Sequence, residues 1–499
     1  MHPSPGLDAA RFRGAITAVL LIVLLGALDQ SVVGVAIPSI ARELGGLAWM
    51  PWVVSGYLIA ATVGALAYGR LSDLYGPCNV TSAALLVFLI GSVACALAPS
   101  VPLLVIARFV QGAGAGGLIV MAQTIVAHLV PRHERGKFLG YVSMVYAGAS
   151  GVGPLLSGVL SEFLSWQAIY WINVPLCIAA LVLIRRSLSV APSARPDTRL
   201  RWSGMPTLLS GLCALLIPIS RLGQGVPLAE AGNALLLTGA AVLLCRFWRQ
   251  QQAPDTALFP MSVLLDKVVM VCCALLFICF FVFVALCALI PLRLQLIANY
   301  PASRAALDIL GLTLAIPLAV FGAGRWIARG APIRPLQRIG VLLVPAALLA
   351  LACFSAQDRL INIVATLVLG IGLGLQIPAT TLSAQSAVPA NVLGMVTALT
   401  VFSRLLGGAI GVAVLCSLLM ALLHRAMPSA LLSMAALMDH ARAAAPDSHR
   451  LDIAFRLTFL VAAGISLLSV YLARHLPDLR FGTQPAPNHG AGGAVAGAR

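Results

Sequence analysis

Charge is scarce in this chain of 499 residues: Asp, Glu, Lys and Arg together make up 10% of it. Lysine is reduced to Lys137 and Lys267. A Walker A loop needs a Gly-Lys-Ser/Thr core, and these lysines are followed by Phe138 and Val268, so an ATP-driven pump is excluded. The eleven cysteines include no CxxC pair and no Cys/His spacing suited to a metal, and ten of them lie inside apolar runs. They read as small buried hydrophobes. The histidines are scattered, with no HExxH motif. The expectation is no metal, no cofactor and no enzyme.

What remains is apolar. Hydrophobic residues make up 60% of the chain and the mean hydropathy is +0.99, outside the balance of a soluble domain. This composition points to an all-α polytopic membrane protein embedded in the lipid bilayer. The net charge of +16 arises from arginines set between apolar runs of spanning length, which suits anchoring at a membrane face and not nucleic acid. Runs bounded by charge, Pro or Gly clusters give fourteen spans: 14–37, 51–69, 79–98, 102–127, 138–160, 168–185, 203–221, 231–248, 268–291, 305–325, 337–354, 360–382, 394–422 and 454–473. An even number puts both termini on one side. Segments on the N-terminal side hold 21 Lys and Arg against 8 on the other, so both termini are expected in the cytoplasm. The first run is too long for a cleaved signal and reads as a retained span. High Ala, Arg and Gly with almost no Lys suits a GC-rich bacterial genome, and hence the inner cell membrane.

An internal repeat organises the spans. Gly112, Gly114 and Gly116 match Gly370, Gly372 and Gly374 at an offset of 258, as does Val130-Pro131 with Val388-Pro389. Leu139-Gly140 matches Leu393-Gly394 at 254, and Gly69-Arg70 matches Gly324-Arg325 at 255. A shared offset is far more informative than any one glycine pair, since glycine is common in membrane helices. The expected organisation is an N-terminal six-helix half over 1–186, an Arg-rich linker with two inserted helices over 187–255, a C-terminal six-helix half over 256–480, and a disordered cytoplasmic tail over 481–499. Parallel halves of this kind place a substrate site near the midplane between them.

Several stretches carry a family likeness. GRLSDLYGP (69–77) resembles the loop between spans 2 and 3 of the major facilitator superfamily, and RFVQGAGAGG (108–117) its span-4 signature. GASGVGPLLSG (148–158) is similar to the Gly-Pro antiporter signature of span 5. LDQSVVGVAIP, WVVSGYL (52–58), INVP (172–175) and FSRLLGGAIGVA (402–413) resemble the fourteen-span drug:proton antiporter branch. The resemblance implies the major facilitator fold with two extra central helices, and a monomer. It also implies export of small amphipathic or drug-like molecules in exchange for protons by alternating access. Import or exchange of another small organic solute is an alternative, as is a channel or scaffold on the same fold.

Asp29 is the residue that lipid should reject, because a carboxylate at mid-bilayer costs about 2.5–3.5 kcal/mol on insertion scales. Helical rise places Asp29, Tyr57 and Arg108 at a common depth of about 9–13 Å below the outer face. In the family's fold, spans 1 and 4 line the central cavity. Asp29 is therefore the candidate proton carrier and Arg108 its tuning partner, a structural ion pair being the alternative. An arginine favours the carboxylate while a dry cavity favours the neutral acid, so a change in either loads or unloads a proton. Tyr57, Gln111, Gln123, Phe402 and Arg404 are candidate cavity residues, with cationic drugs and organic anions both open as substrates. Gly69, Arg70, Asp73 and Gly76 form a cytoplasmic turn; Asp73 is expected to accept from helix N-terminal amides or to pair with an arginine. In the family this turn stabilises one of two alternating states. Gly148, Gly151, Gly153, Pro154 and Gly158 are read as a tight, kinked helix contact serving as pivot or proton seal. Arg456 is expected to snorkel outward. Asp308 and Glu162, near span ends, are expected to be solvated, and Trp52 and Trp171 to sit at the membrane interface.

Overall fold

The computed structural model describes residues 9–44, 50–131, 134–187, 204–223, 226–252, 263, 265–298, 302–389, 392–426 and 448–476. Within these, all regular structure is helical, as lipid demands of a backbone that must bond to itself. In chain order the helices are α1 (Ala9–Leu44), α2 (Met50–Tyr75), α3 (Pro77–Ala96), α4 (Val101–Leu129), α5 (Arg135–Phe163), the short α6 (Ala168–Trp171), α7 (Asn173–Ser187), α8 (Gly204–Gly223) and α9 (Ala231–Gln252). There follow α10 (Lys267–Ile297), α11 (Ala302–Ala328), α12 (Ile333–Cys353), α13 (Arg359–Ser386), α14 (Leu393–Ala426) and α15 (Ser448–Ala473). Twelve candidate spans are long and apolar enough to cross a membrane, α6 and α7 counting as one. The two other expected spans are α5, whose apolar run is diluted by Gly, Ser and Tyr, and α8, whose apolar stretch is the shorter Pro206–Ile219. The Arg-rich linker, most of the loop 423–453 and the tail lie outside the described residues.

Local chemistry sets the helix ends. Gly76 separates α2 from α3 with φ 82°, a left-handed conformation that side chains resist, and Pro77 then opens α3 where its missing N–H costs nothing. Asp266 caps α10 by accepting from the Val269 amide at 2.9 Å.

Helices of each half interlock through glycines at matched places. In α4, Gly112 and Gly116 lie on the backbone of α2 at Tyr57 and Ala61, while Gly114 faces α3 at Phe88. In α13, Gly370 and Gly374 lie on the backbone of α11 at Leu312 and Ile316, while Gly372 faces α12 at Gly340 and Leu343. The outer two glycines of each triplet thus seat one neighbour and the middle glycine another. A Cβ on Gly374 would stand 2.5 Å from the Ile316 carbonyl oxygen and 2.6 Å from Ala319 Cβ, with no flexible side chain to yield. Gly374→Val is therefore expected to destabilise by at least the ~1–3 kcal/mol of ordinary overpacking, read as loss of the monodisperse peak of a fluorescent fusion on size exclusion.

The two largest apolar clusters lie one among α1–α5 and α7, the other among α10–α15. They meet where α2 packs on α14 and α5 on α11. The inserted α8 and α9 pack on one another, and α8 docks on α14 and α2, its Leu222 carbonyl accepting from Ser417 at 3.0 Å. Exposed Leu, Ile and Val on the outer helix faces fit contact with lipid tails.

Two expectations about charges need correction. Arg456 does not snorkel freely: its Nε donates to Asp452 one turn back at 2.7 Å. The same carboxylate takes Arg293 of α10 at 2.9 Å, whose guanidinium also donates to the Leu351 and Phe354 carbonyls. Asp308 is buried, not solvated, and pairs with Arg359 at 3.1 Å. In both cases a carboxylate near a helix end is cheaper to pair across helices than to leave beside lipid. The side chain of Glu162 lies outside the described residues.

Candidate functional site

Asp29 and Arg108 are both 2% exposed and meet at 2.9 Å between Oδ2 and Nη1. The other carboxylate oxygen accepts from Gln111 Nε2 at 2.7 Å and from Asn173 Nδ2 at 3.1 Å. Arg108 also donates from Nε to the Val53 carbonyl at 3.2 Å and from Nη1 to Gln111 Oε1 at 2.7 Å, and its guanidinium lies 4.0 Å over the Tyr57 ring. Ser92 closes the network, accepting from Asn173 at 3.0 Å and donating to the Tyr170 carbonyl at 2.9 Å. The cluster thus ties together α1, α2, α3, α4, α6 and α7. One negative and one positive charge cancel, and neutral amides satisfy the rest, which is how a buried ion pair avoids leaving an unpaired charge in low dielectric. Tyr170 Oη is buried with no hydrogen-bond partner among the described residues.

The depth argument brought Asp29, Arg108 and Tyr57 together, and so does the structure. Gln111, read from the sequence as a cavity residue, belongs to this cluster and is fully buried. Asn173, Ser92 and Tyr170 were missed. The INVP stretch contains Asn173, and an amide at the start of a span was the available signal. Next to Asp29, the exposed Gln30 accepts at 2.7 Å from the Tyr146 hydroxyl of α5.

A second polar centre lies between the halves. Arg404 of α14 donates from Nη2 to Gln123 Oε1 of α4 at 2.7 Å and from Nε to its own helix at Thr400 O, 3.3 Å. The Phe280 ring lies 5.7 Å from its guanidinium carbon. Phe402, two residues earlier, is half-buried against the apolar cluster that joins α2, α8, α10 and α14.

At the face where α1 begins, the halves are latched. Asp73, at the end of α2, accepts from the Gly394 amide at 2.8 Å and from the Met395 amide at 2.8 Å. These are free N–H groups of the first turn of α14, so the carboxylate caps a helix of the other half and complements its dipole. Gly69 and Gly394 face one another beneath this cap; a Cβ on Gly394 would stand 2.5 Å from Asp73 Oδ1 and 2.9 Å from the Gly69 carbonyl oxygen. Gly76 supplies the reversal, and Arg70 is half-buried, its Nε having no hydrogen-bond partner among the described residues. On the other side of the seam, Gly140 packs on Phe321, which also meets Tyr141 at 5.9 Å.

The glycines of α5 behave unequally. Helix α5 runs unbroken through residue 154. Gly148 is exposed, with open space where a Cβ would stand, so it makes no tight contact, whereas Gly153 is buried. The surroundings of Gly151, Pro154 and Gly158 lie outside the described residues.

Comparison with known proteins places this geometry. The family model described as Major Facilitator Superfamily matches residues 19–412. An uncharacterized MFS-type transporter of Mycobacterium tuberculosis (strain ATCC 25618 / H37Rv) is 31% identical over 86% of this chain, which spans 62% of that relative's length. The multidrug transporter protein MdtP of Bacillus subtilis (strain 168) is 27% identical, over 80% of this chain and 74% of its own. Among solved structures, the proton:xylose symporter XylE with a bound sugar analogue superposes with a TM-score of 0.63 at 14% identity, covering 94% of this chain and 97% of its own; this shows the fold. The matched residues, the helical bundle and these relatives together establish that the chain belongs to the Major Facilitator Superfamily, whose members are transporters and not enzymes.

Proposed function

We propose that this chain is a secondary transporter of the fourteen-span drug:proton antiporter branch. It exports small amphipathic or drug-like molecules from the cell across the inner membrane while protons enter. The observation that carries the reading is the buried Asp29–Arg108 pair held by Gln111 and Asn173 in the N-terminal half. A relative such as the efflux pump FUS6 of Gibberella fujikuroi supports the direction, and the multidrug transporter MdtP supports the substrate class.

In this reading Asp29 carries the proton. Its carboxylate takes one hydrogen bond from Arg108 and two from amides, which leaves one of its roughly four acceptor sites for a proton, and rocking of the halves changes the access of water to this cluster inside the N-terminal half. The domain boundaries at 186/187 and 255/256 then mark the rigid bodies that rock, and the α8–α9 insertion flanks the seam. With both termini cytoplasmic, the Asp73 latch closes the seam on the cytoplasmic side. Buried Gly153 is the best-placed residue of α5 to serve as pivot or seal. One proton entering down about 100 mV supplies about 2.3 kcal/mol, enough to sustain roughly a 50-fold gradient of a neutral substrate.

The test is a pH-sensitive dye in everted vesicles energised by respiration. Adding a transported compound is expected to collapse part of the proton gradient in vesicles carrying the chain and not in empty ones. A panel of drugs that leaves the dye unchanged throughout would count against proton-coupled export.

A further inference from the structure

The two fully buried arginines among the described residues each have an acid beside them: Arg108 has Asp29, and Arg293 has Asp452. Arg404 has none. Its described neighbours are neutral: Gln123, Thr400, Tyr146, Cys273, Cys279 and the Phe280 ring. Eleven residues from the start of α14, it sits about 16 Å from the membrane face, near the middle of a hydrocarbon core about 30 Å thick. Tyr146, eleven residues into α5 from Arg135, lies at the same depth and is 37% exposed. Two guanidinium nitrogens are used, whereas Nη1 has no hydrogen-bond partner among the described residues, and the side chain is only half-buried. A positive charge at mid-membrane on the contact between the halves, partly exposed and with a free donor edge, lacks the counter-charge that would offset its cost.

We infer that Arg404 is the docking point for an anionic group of the transported molecule, so that the substrates are amphipathic organic acids. Gln123 holds the guanidinium in place from the opposite half, leaving Nη1 turned to the ligand. The aromatic rings of Phe280 and Tyr146 border the space that an apolar body attached to the acid would fill. Arginine suits this role because its planar edge pairs with a carboxylate and keeps its charge throughout the cycle. Because Arg404 and Gln123 belong to different halves, a bound anion bears on the contact that must break when the halves rock. The inference rests on the transport reading above, and it selects one of the two substrate classes the sequence left open.

The test uses one aromatic scaffold with three charges: 2-naphthoate, 2-naphthamide and 2-naphthylmethylammonium. Binding to the purified full chain in lipid nanodiscs is measured by equilibrium dialysis, with empty nanodiscs subtracted and no proton gradient present. Naphthoate is expected to bind at least tenfold more tightly than the amide or the cation. Arg404→Gln is expected to erase that preference while leaving the affinity for naphthamide unchanged, and Arg404→Lys to retain part of it. Should Arg404→Gln not be recovered as a monodisperse protein, the wild-type series and Arg404→Lys decide. The inference is overturned if the wild type fails to bind naphthoate, binds the cation better, or if the preference survives intact in Arg404→Gln. Naphthoate selectivity in a wild type that shows no proton coupling would sink the transport mechanism and leave the anion site standing; proton coupling without selectivity would do the reverse.

Discussion

Asp29→Asn is expected to abolish proton-driven transport, with the dye signal in everted vesicles falling at least 100-fold in initial rate. Downhill exchange of labelled substrate between proteoliposome compartments is expected to survive. Asparagine is nearly the same size, so the packing around α1 is kept, but the group that exchanges a proton is gone. The substitution also removes the charge that balances Arg108. Breaking one side of a buried pair typically costs about 3–5 kcal/mol, so the variant is expected to melt earlier in detergent. The double variant Asp29→Asn with Arg108→Gln removes both charges and is expected to recover much of that stability without recovering coupling. Recovery of coupling in either variant would show that Asp29 and Arg108 serve only to hold helices together.

Asp29 and Arg108 were legible because a charge inside an apolar run is rare, and because helical rise converts sequence position into depth. The same arithmetic put Tyr57 beside them. Asn173 and Ser92 were not legible, since neutral polar residues are common in membrane helices and carry no signal until the helices are placed. Depth also cannot say which way a side chain turns; Gln111 was assigned to the cavity, but its place one turn after Arg108 on α4 points it to the carboxylate. Repeated glycines revealed the duplication, and their contacts show why: Gly112 and Gly370 seat α2 and α11 in the same way. Long-range partners such as Arg293 for Asp452 have no sequence signature, because each reads equally well as a solvated residue at a span end; for Asp73 the turn pointed to helix N-terminal amides or an arginine, but nothing in the sequence named a helix 321 residues away.

Asp73→Asn is expected to loosen the closed seam between α2 and α14. Wild-type Asp73 offers an ionised oxygen to each of two first-turn amides, and such a cap is worth about 1–2 kcal/mol with a further dipole contribution of about 0.3–1 kcal/mol. Asparagine keeps one good acceptor and loses the charge, so a shift of about 1.4 kcal/mol, or about tenfold in the open-to-closed ratio, is the expected result. Val401 reports on it, being 2% exposed in the apolar cluster that α14 shares with α2 and α4. A cysteine introduced there is expected to react with an impermeant maleimide about tenfold faster in Asp73→Asn than in its parent, scored at that one residue by mass spectrometry. Gly394→Ala is expected to act in the same direction, because a methyl group 2.5 Å from Asp73 Oδ1 forces the cap apart without touching its charge. Agreement between the two variants assigns the latch to the contact itself, whereas acceleration in Asp73→Asn alone assigns it to the field of the carboxylate at the start of α14. An unchanged labelling rate in both would mean that the apolar packing of Ala65, Ala398 and Val401 holds the seam closed without the cap.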